Sequence, residues 1–223
     1  MKDKIFKYLD VITALFVAVL LISNITSTKI VNFFGFTFDG GTLLFPLAYI
    51  FGDILTEVYG YRRARRAIWL GFVSAFLMSV MIIIVGKLPA ASDWLFQDAY
   101  DKILGLAPRI VLASLIAYLA GEFSNSVILA KMKVKTKGKH LWARTISSTL
   151  VGQFLDTLLF VVIAFWGILP GSLLLVIIVS NYIFKCGVEI VLTPVTYRVV
   201  RFLKKKEGED YYDEKTNFNP LKF

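Results

Sequence analysis

Carboxylates within apolar segments are the side chains of this chain best suited to chemistry. The segment LLFPLAYIFGDILTEVYGYRRARR, residues 43–66, carries Asp53 and Glu57 four positions apart, and this spacing places both on one face of a helix. Four arginines follow within residues 62–66, and a cluster that basic predicts that the helix ends there at a water interface. The two acids then lie within a membrane span, where an ionisable group costs roughly 2.5 to 3.5 kcal/mol and typically serves a substrate or ion pathway.

A common depth links this segment to three others. Asp53, Glu122 and Glu189 each precede a lysine or arginine at the same edge of the membrane by nine residues, which is roughly 14 Å along a helix. Asp156 and Lys185 lie roughly 18 to 20 Å from that edge on the same measure. These five groups come from four segments and fall near the middle of the bilayer, so we expect them to face the interior of a helix bundle and to pair there.

One of these segments carries a polar stripe. Asn181, Lys185 and Glu189 recur every four residues, which predicts an ion pair between Lys185 and Glu189. Such a stripe lines a cavity if the buried groups bind a polar substrate that crosses the membrane. The alternative is that buried acids hold the bundle together through hydrogen bonds between helices.

Amide side chains stand one turn from two of the acids. Asn125 follows Glu122 by three residues, and Gln153 precedes Asp156 by three. Five acids, with Glu57 included, face Lys185 as their only cation, which leaves four uncompensated negative charges if all ionise. A site of low dielectric does not hold that charge, so we expect protonated carboxyls or a bound cation, which includes a positively charged substrate.

The composition places the chain among membrane proteins. Of its 223 residues, 57% are hydrophobic and 18% are charged, whereas about 25% of the residues of a soluble domain are charged. The net charge of +9 lies in short segments between apolar runs, so it indicates membrane topology and no nucleic-acid partner. A single cysteine and a single histidine exclude a disulfide framework within the chain and a cysteine- or histidine-rich metal site. No cofactor or metal is expected.

Six apolar runs are long enough to span a bilayer, which takes about 20 residues. They cover residues 8–27, 42–60, 67–86, 109–130, 146–166 and 173–197. Most lysines and arginines lie before the first run, after the second, between the fourth and fifth, and after the sixth. The positive-inside rule then predicts an all-α membrane protein of six transmembrane helices with both termini in the cytoplasm. We expect a transporter domain over residues 1–202 and a flexible cytoplasmic tail over residues 203–223.

The connections between the runs also carry patterns. Phe34, Phe36 and Phe38 alternate near glycines on the outer side, which fits either a short hairpin or an irregular loop packed on its neighbours. Residues 87–108 mix aromatic and acidic side chains in the manner of a short amphipathic helix at the membrane interface. The lysine-rich cytoplasmic connection of residues 131–144 is typical of contact with anionic membrane lipid.

Three stretches of the sequence resemble the queuosine precursor transporters, also called the vitamin uptake transporter family. They are TKIV at residues 28–31, DGGTLLFPLAYIFGDILTEVYGYRRARRAIW at residues 39–69 and GQFLDT at residues 152–157. The resemblance implies a six-helix inner-membrane carrier that imports 7-deazaguanines such as queuine, 7-cyano-7-deazaguanine or 7-aminomethyl-7-deazaguanine. It also implies a fold similar to the membrane-embedded substrate-binding subunits of energy-coupling-factor vitamin importers.

Such a cargo suits the residues already identified. A deazaguanine presents two adjacent N–H donors that a carboxylate accepts side by side, and its flat ring stacks on an aromatic such as Tyr49. The resemblance implies that Asp53 and Glu57 bind substrate or a proton, with Gln153 and Asp156 opposite. With the residues chosen by depth and spacing, the candidate substrate site comprises Tyr49, Asp53, Glu57, Glu122, Asn125, Gln153, Asp156, Asn181, Lys185 and Glu189.

More than one class of function fits these residues. The main hypothesis is a solo secondary carrier or facilitator without enzyme activity, with a proton or another cation as a second partner and homo-oligomerisation left open. The first alternative is the substrate-binding subunit of an ATP-driven energy-coupling-factor importer, since the chain itself has no Walker A motif. The second is an intramembrane enzyme that uses an acid dyad such as Asp53 and Asp156, although no familiar hydrolase motif accompanies the pair.

Overall fold

The computed structural model describes residues 6–27, 29–33, 36–104, 108–167, 170–214 and 216–220. Over this part, the chain forms seven α-helices and one two-stranded hairpin. The helices are α1 (Leu9–Thr26), α2 (Phe45–Tyr59), α3 (Tyr61–Lys87), α4 (Gln97–Ile103), α5 (Pro108–Lys135), α6 (Leu141–Phe165) and α7 (Gly171–Glu207). The strands are β1 (Ile30–Phe33) and β2 (Phe36–Asp39), and a 3-10 turn (Gly40–Leu43) leads into α2.

Five of the described helices have the length and apolarity of a membrane span. They are α1, α3, α5 from Leu112, α6 as far as Ala164, and α7 from Leu174. Large hydrophobic side chains are exposed on their outward faces, for example Phe76 and Leu77 on α3, which suits contact with lipid tails. The chain is therefore a helical membrane protein, and α2 is the predicted span that lacks this length.

α2 is the central helix of the bundle. Thirteen of its fifteen residues are buried, and it packs against α1, α3, α5 and α7. Fifteen residues of helix reach about 22 Å, which is less than the roughly 30 Å of a bilayer core. Because neighbouring helices shield it from lipid, α2 can be short and can carry Asp53 and Glu57 without exposing either to hydrocarbon.

The arginine block does not form the connection that the sequence predicts. α2 ends at Tyr59, Gly60 adopts a φ of 86°, and α3 begins at Tyr61, so the arginines occupy the first turns of α3. A positive φ favours glycine, and Gly60 therefore makes the break between the helices. Arg63 donates to the Tyr59 carbonyl at 2.8 Å, and buried Arg65 donates to two carbonyls near the C-terminus. Backbone carbonyls thus accept hydrogen bonds that the arginines would donate to water at a membrane interface.

The first described residues of the chain meet the end of α7 at this end of the bundle. The backbone N–H groups of Lys7 and Tyr8 donate to the Glu207 carboxylate at 3.0 and 2.7 Å. The Tyr59 hydroxyl donates to the same carboxylate at 3.0 Å. The N-terminal residues, the end of α2 and the end of α7 are thereby held together by one acidic side chain.

The end of α7 differs from the predicted domain boundary. Residue 202 lies inside α7, which continues to Glu207 and stops at Gly208, where φ is 57°. The described part of the segment after it, residues 208–214 and 216–220, packs on α3: the Tyr61 N–H donates to the Asp213 carboxylate at 3.0 Å, and the Trp69 indole N–H donates to the Pro220 carbonyl at 2.8 Å. Residues 215 and 221–223 of the predicted tail lie outside the described residues. The division into a transporter domain and a flexible tail stays a prediction.

The two patterned connections both form secondary structure. β1 and β2 pair antiparallel with Ile30 opposite Asp39 and Phe33 opposite Phe36, so the hairpin is correct and the irregular loop is not. Residues 34–35 at its turn lie outside the described residues. α4 occupies the region where an amphipathic helix was predicted, and residues 105–107 after it also lie outside the described part.

Glycines bring α5 and α6 into close contact. A Cβ added to Gly121 would lie 2.8 Å from both the Gly152 carbonyl oxygen and the Asp156 Cβ. Small residues at such crossings let the backbones of membrane helices approach each other. The contact holds Gln153 and Asp156 of α6 against α5.

Replacing Gly121 by alanine is expected to lower the thermal unfolding temperature of the purified protein. The new methyl group must displace backbone, and overpacking of this kind costs about 1 to 3 kcal/mol. The matched control is Gly187→Ala on α7, because a Cβ there meets nothing within 4 Å. Unfolding in detergent, followed by intrinsic fluorescence, compares the two. Equal melting temperatures for both variants would contradict the close contact.

Candidate functional site

Five ionisable side chains from four helices meet in the interior of the bundle. We call them the acid layer: Asp53 of α2, Glu122 of α5, Asp156 of α6, and Lys185 and Glu189 of α7. None is more than 6% exposed. The structure brings together the five groups that the sequence places at a common depth in the membrane.

Glu122 is the least satisfied member of the acid layer. Its side chain is fully buried, and within the described residues neither carboxylate oxygen has a hydrogen-bond partner. The charges of Asp53, Glu189 and Asp156 act on it from neighbouring helices. Gly52 gives it space, because a Cβ at that position would overlap the Glu122 carboxylate. Buried polar atoms are normally paired, so two unpaired acceptors call for a partner that the described residues do not supply.

Amide groups lie beside the acids. The Asn125 side-chain N–H donates to Asp53 Oδ1 at 2.7 Å, whereas Asp53 Oδ2 and the Asn125 oxygen find no partner among the described residues. Gln153 is fully buried and lies beside Glu189, but neither its amide nitrogen nor its amide oxygen forms a hydrogen bond of normal geometry with the described residues. Donors and acceptors for a polar heterocycle are therefore both present.

The predicted ion pair of Lys185 with Glu189 is wrong. Lys185 Nζ lies 2.7 Å from Asp156 Oδ2 on α6 instead, and the ammonium stands 5.1 Å from the centre of the Phe45 ring. Glu189 accepts a hydrogen bond from the Thr149 hydroxyl. Spacing along one helix identified the two groups, but the partner on a facing helix offers better geometry than a neighbour one turn away.

Tyr49 and Asn181 lie at the margins of the acid layer. Tyr49 is fully buried; its hydroxyl lies 3.4 Å from the Gly152 carbonyl, and its ring packs edge-on against Tyr118 at 6.5 Å. Asn181 is partly buried, one turn before Lys185 on α7. The ring of Tyr49 is thus packed against protein on at least one side.

Glu57 lies apart from the acid layer, among cations. Its Oε1 atom is 2.8 Å from Arg144 Nη2, 2.6 Å from Lys204 Nζ and 3.6 Å from Lys133 Nζ. Asp210, in the segment after α7, joins Lys133 and Lys204 at 2.6 and 2.9 Å. We call these five residues the Glu57 charge cluster. It ties the ends of α2, α5 and α7 to the start of α6.

Sequence reasoning missed most of this cluster. Lys133, Arg144 and Lys204 were interpreted as topology signals, and Asp210 as part of a tail. The available signal was Glu57 itself, since a carboxylate near the end of a buried helix needs cations at the same level. Thr149, the partner of Glu189, carried no signal because threonines are common in membrane helices.

Asp210 makes the stability of the folded protein depend on pH. Partial burial would raise the pKa of Asp210, but hydrogen bonds from Lys133 and Lys204 outweigh it and hold that pKa below its usual value. A lowered pKa in the folded state stabilises the protein above the unfolded-state pKa, and this contribution is lost as the pH falls through the folded-state pKa.

Replacing Asp210 by asparagine is accordingly expected to lower the melting temperature modestly at pH 7, since Asp210 is 44% exposed and solvent screens it. The difference from wild type should shrink as the pH falls through the lowered folded-state pKa of Asp210, because the stabilising charge is lost there. Glu214→Gln, at an exposed position of the same segment, is the matched control and should show no difference at pH 7. A deficit for Asp210→Asn that does not shrink as the pH is lowered would contradict the ion-pair assignment.

The acid layer offers side chains that can bind polar groups. Among the residues that the structure describes, no three acidic, cysteine or histidine side chains approach closely enough to hold a metal ion. Asp53, Glu122 and Glu189 have no cationic partner there, whereas Asp156 has Lys185. The layer can accept several N–H donors and can neutralise a proton or an amine.

The chain is similar to transport proteins over most of its length. A family model described as "Putative vitamin uptake transporter" matches residues 39–199. The chain is 32% identical to the "Probable queuosine precursor transporter" of Bacillus subtilis (strain 168), over 83% of this chain and 81% of that protein. It is 28% identical to the "Queuosine precursor transporter" of Escherichia coli (strain K12), over 76% of each chain.

A further relative is the "Probable queuosine precursor transporter" of Haemophilus influenzae (strain ATCC 51907 / DSM 11121 / KW20 / Rd), which is 25% identical over 64% of this chain and 58% of that protein. No solved structure matches the chain. The region that the family model matches begins before α2 and contains the entire acid layer. The protein is thus a multi-pass protein of the inner membrane. By sequence it belongs to the vitamin uptake transporter family.

Proposed function

We propose that the protein imports queuosine precursors and that the acid layer is where they bind. The observation that carries the proposal is the set of buried, unbonded polar atoms of Glu122 and Gln153 inside the bundle. The names of the similar transporters supply the class of cargo. A 7-deazaguanine has the complementary groups, namely adjacent N–H donors and a carbonyl acceptor.

The binding mode follows from these atoms. The Glu122 carboxylate accepts two N–H groups of the guanine-like edge side by side, and the Gln153 amide donates to the ring carbonyl. A substrate amine, where one is present, is neutralised by Asp53 or Glu189. The ring lies against Tyr49 or Tyr118, which flank this position.

Transport requires movement, because every member of the acid layer is buried. A substrate reaches Glu122 only when helices separate, first toward one side of the membrane and then toward the other. Three carboxyls without cationic partners suit a proton or cation that travels with the substrate or balances the empty site. These features support a solo carrier or facilitator.

The topology that fits this mechanism has six spans with both termini in the cytoplasm. The N-terminal residues, the corner between α2 and α3, and the end of α7 meet at one end of the bundle. Lys133 and Arg144 join them there through Glu57, and the positive-inside rule assigns that end to the cytoplasm. The similarity of the fold to energy-coupling-factor subunits stays an expectation from the sequence resemblance.

The acid-dyad enzyme finds little support in the geometry. A catalytic dyad needs two carboxyls that share a proton, but Asp53 is bonded to Asn125 and Asp156 is paired with Lys185. Those partners keep each carboxyl engaged separately. We propose transport without catalysis.

The test is transport by the purified protein in liposomes, with no other protein present. Labelled queuine, 7-cyano-7-deazaguanine and 7-aminomethyl-7-deazaguanine are offered in turn, with and without a proton gradient. Uptake of at least one, saturable and absent from empty liposomes, is expected. Failure of all three to enter, from a preparation shown to be folded, would overturn the proposal; uptake that appears only with an ATP-hydrolysing partner would establish the subunit alternative.

A further inference from the structure

A cavity lined by charged side chains lies at the end of the bundle that holds the Glu57 charge cluster. Its volume is about 160 Å³, and its lining includes Glu57, Leu141, Arg144, Tyr197, Arg201 and Lys204. No member of the acid layer contributes to it. At roughly 30 Å³ for each water molecule of the liquid, a cavity of this size holds a group with several oxygen atoms.

The cavity wall carries more positive charge than Glu57 neutralises. Arg144, Arg201 and Lys204 face one carboxylate in the lining. With the adjoining Lys133 and Asp210 included, cations exceed acids by two. A surplus of cations beside a cavity favours an anion in it.

Two guanidinium groups in the cavity wall have N–H donors without a hydrogen-bond partner among the described residues. Arg144 is fully buried, and its Nε has no hydrogen-bond partner among the described residues, although its other nitrogens contact Glu57, Thr136 and Lys139. Arg201 is exposed and forms no hydrogen bond or ion pair with the described part of the chain. Planar guanidinium groups are the side chains best matched to phosphate oxygens.

The start of α6 adds to this field. Leu141, the first residue of α6, lines the cavity, and the first turn of a helix carries a partial positive charge. Tyr197 of α7 accepts the Trp142 N–H at 2.8 Å, which fixes the two walls of the cavity relative to each other. The start of α6 and the two arginines therefore both favour an anionic ligand.

We propose that this cavity binds a phosphate group, held by Arg201, Arg144 and Lys204. The phosphate belongs either to the headgroup of an anionic phospholipid or to a soluble phosphate compound, because the chemistry of recognition is shared. Basic pockets between helices at the cytoplasmic side of membrane proteins commonly take lipid headgroups. The proposal does not depend on what the acid layer transports.

The test uses the full chain, purified in detergent, with two probes. Inorganic phosphate is titrated against chloride at constant ionic strength and followed by the melting temperature. Separately, phosphatidylglycerol and phosphatidylcholine are added, and lipid retained by the protein is counted by native mass spectrometry. Stabilisation by phosphate would identify a soluble ligand, and selective retention of phosphatidylglycerol would identify lipid.

Arg201→Gln is the diagnostic variant, since it removes a guanidinium that has no partner in the described protein and so should leave the fold intact. We expect it to weaken binding of the effective probe about tenfold. Arg198→Gln, exposed on the same helix but outside the cavity lining, should bind as wild type. If neither probe binds wild type, or if both variants lose binding equally, the proposal is wrong.

Discussion

Exchanging Glu122 for glutamine is expected to lower the uptake of deazaguanine roughly 10- to 100-fold while leaving the protein folded in the membrane. Glutamine keeps the size of the side chain but replaces one of two acceptors by a donor, which then faces an N–H group of the substrate. Loss of a hydrogen bond to a charged group costs about 1.5 to 3 kcal/mol, and each 1.4 kcal/mol is about a factor of ten. Initial rates of uptake of labelled substrate into cells that make the variant provide the measurement.

The fold should survive this exchange because the Glu122 carboxylate accepts no hydrogen bond from the described residues. Asp98→Asn, which removes an exposed carboxylate from α4, is the matched control and should transport at the rate of wild type. Amounts of each variant in the membrane are equalised by quantitative blotting. Uptake by Glu122→Gln at the wild-type rate would remove Glu122 from the substrate site.

Exchanging Glu57 for glutamine is expected to destabilise the protein by about 3 to 5 kcal/mol. The change leaves Lys133, Arg144 and Lys204 converging on a neutral group, and an uncompensated buried charge is what makes a broken ion pair costly. Arg144 is fully buried, so water does not compensate for the loss. Thermal unfolding of the purified protein in detergent measures the effect.

A double-mutant cycle separates this cause from a general loss of packing. Lys204→Met alone should destabilise, because it removes a partner of Glu57 at 2.6 Å. In the Glu57→Gln background, the same substitution should cost much less or should stabilise, since it relieves repulsion among the remaining cations. Additive effects of the two substitutions would show that Glu57 and Lys204 do not interact.

The sequence predicted the membrane class and the residues of the acid layer for a simple reason. Apolar runs of about 20 residues and their flanking cations fix depth, and depth alone brought Asp53, Glu122, Asp156, Lys185 and Glu189 to one level. It did not predict which of them pair. Lys185 lies within reach of an acid on its own helix and of another on a facing helix, and only packing decides between them.

Other features depend on contacts that no local pattern encodes. The break at Gly60 is a backbone conformation, and the arginine block beside it suggested a water interface instead of the first turns of α3. Glu57 shares a helix face with Asp53, but its environment is set by Arg144 and Lys204, which are distant in sequence. The candidate substrate site included Glu57 with the other acids, and no local pattern showed the cations that surround it.

The most direct test of the central claim, that the acid layer forms one substrate site, is equilibrium binding of labelled 7-aminomethyl-7-deazaguanine to the purified protein. The variants Asp53→Asn, Glu122→Gln and Gln153→Leu are compared with wild type and with Asp98→Asn. We predict that the Kd rises at least about tenfold in the three layer variants and is unchanged in Asp98→Asn. Wild-type affinity in all three layer variants would contradict the account.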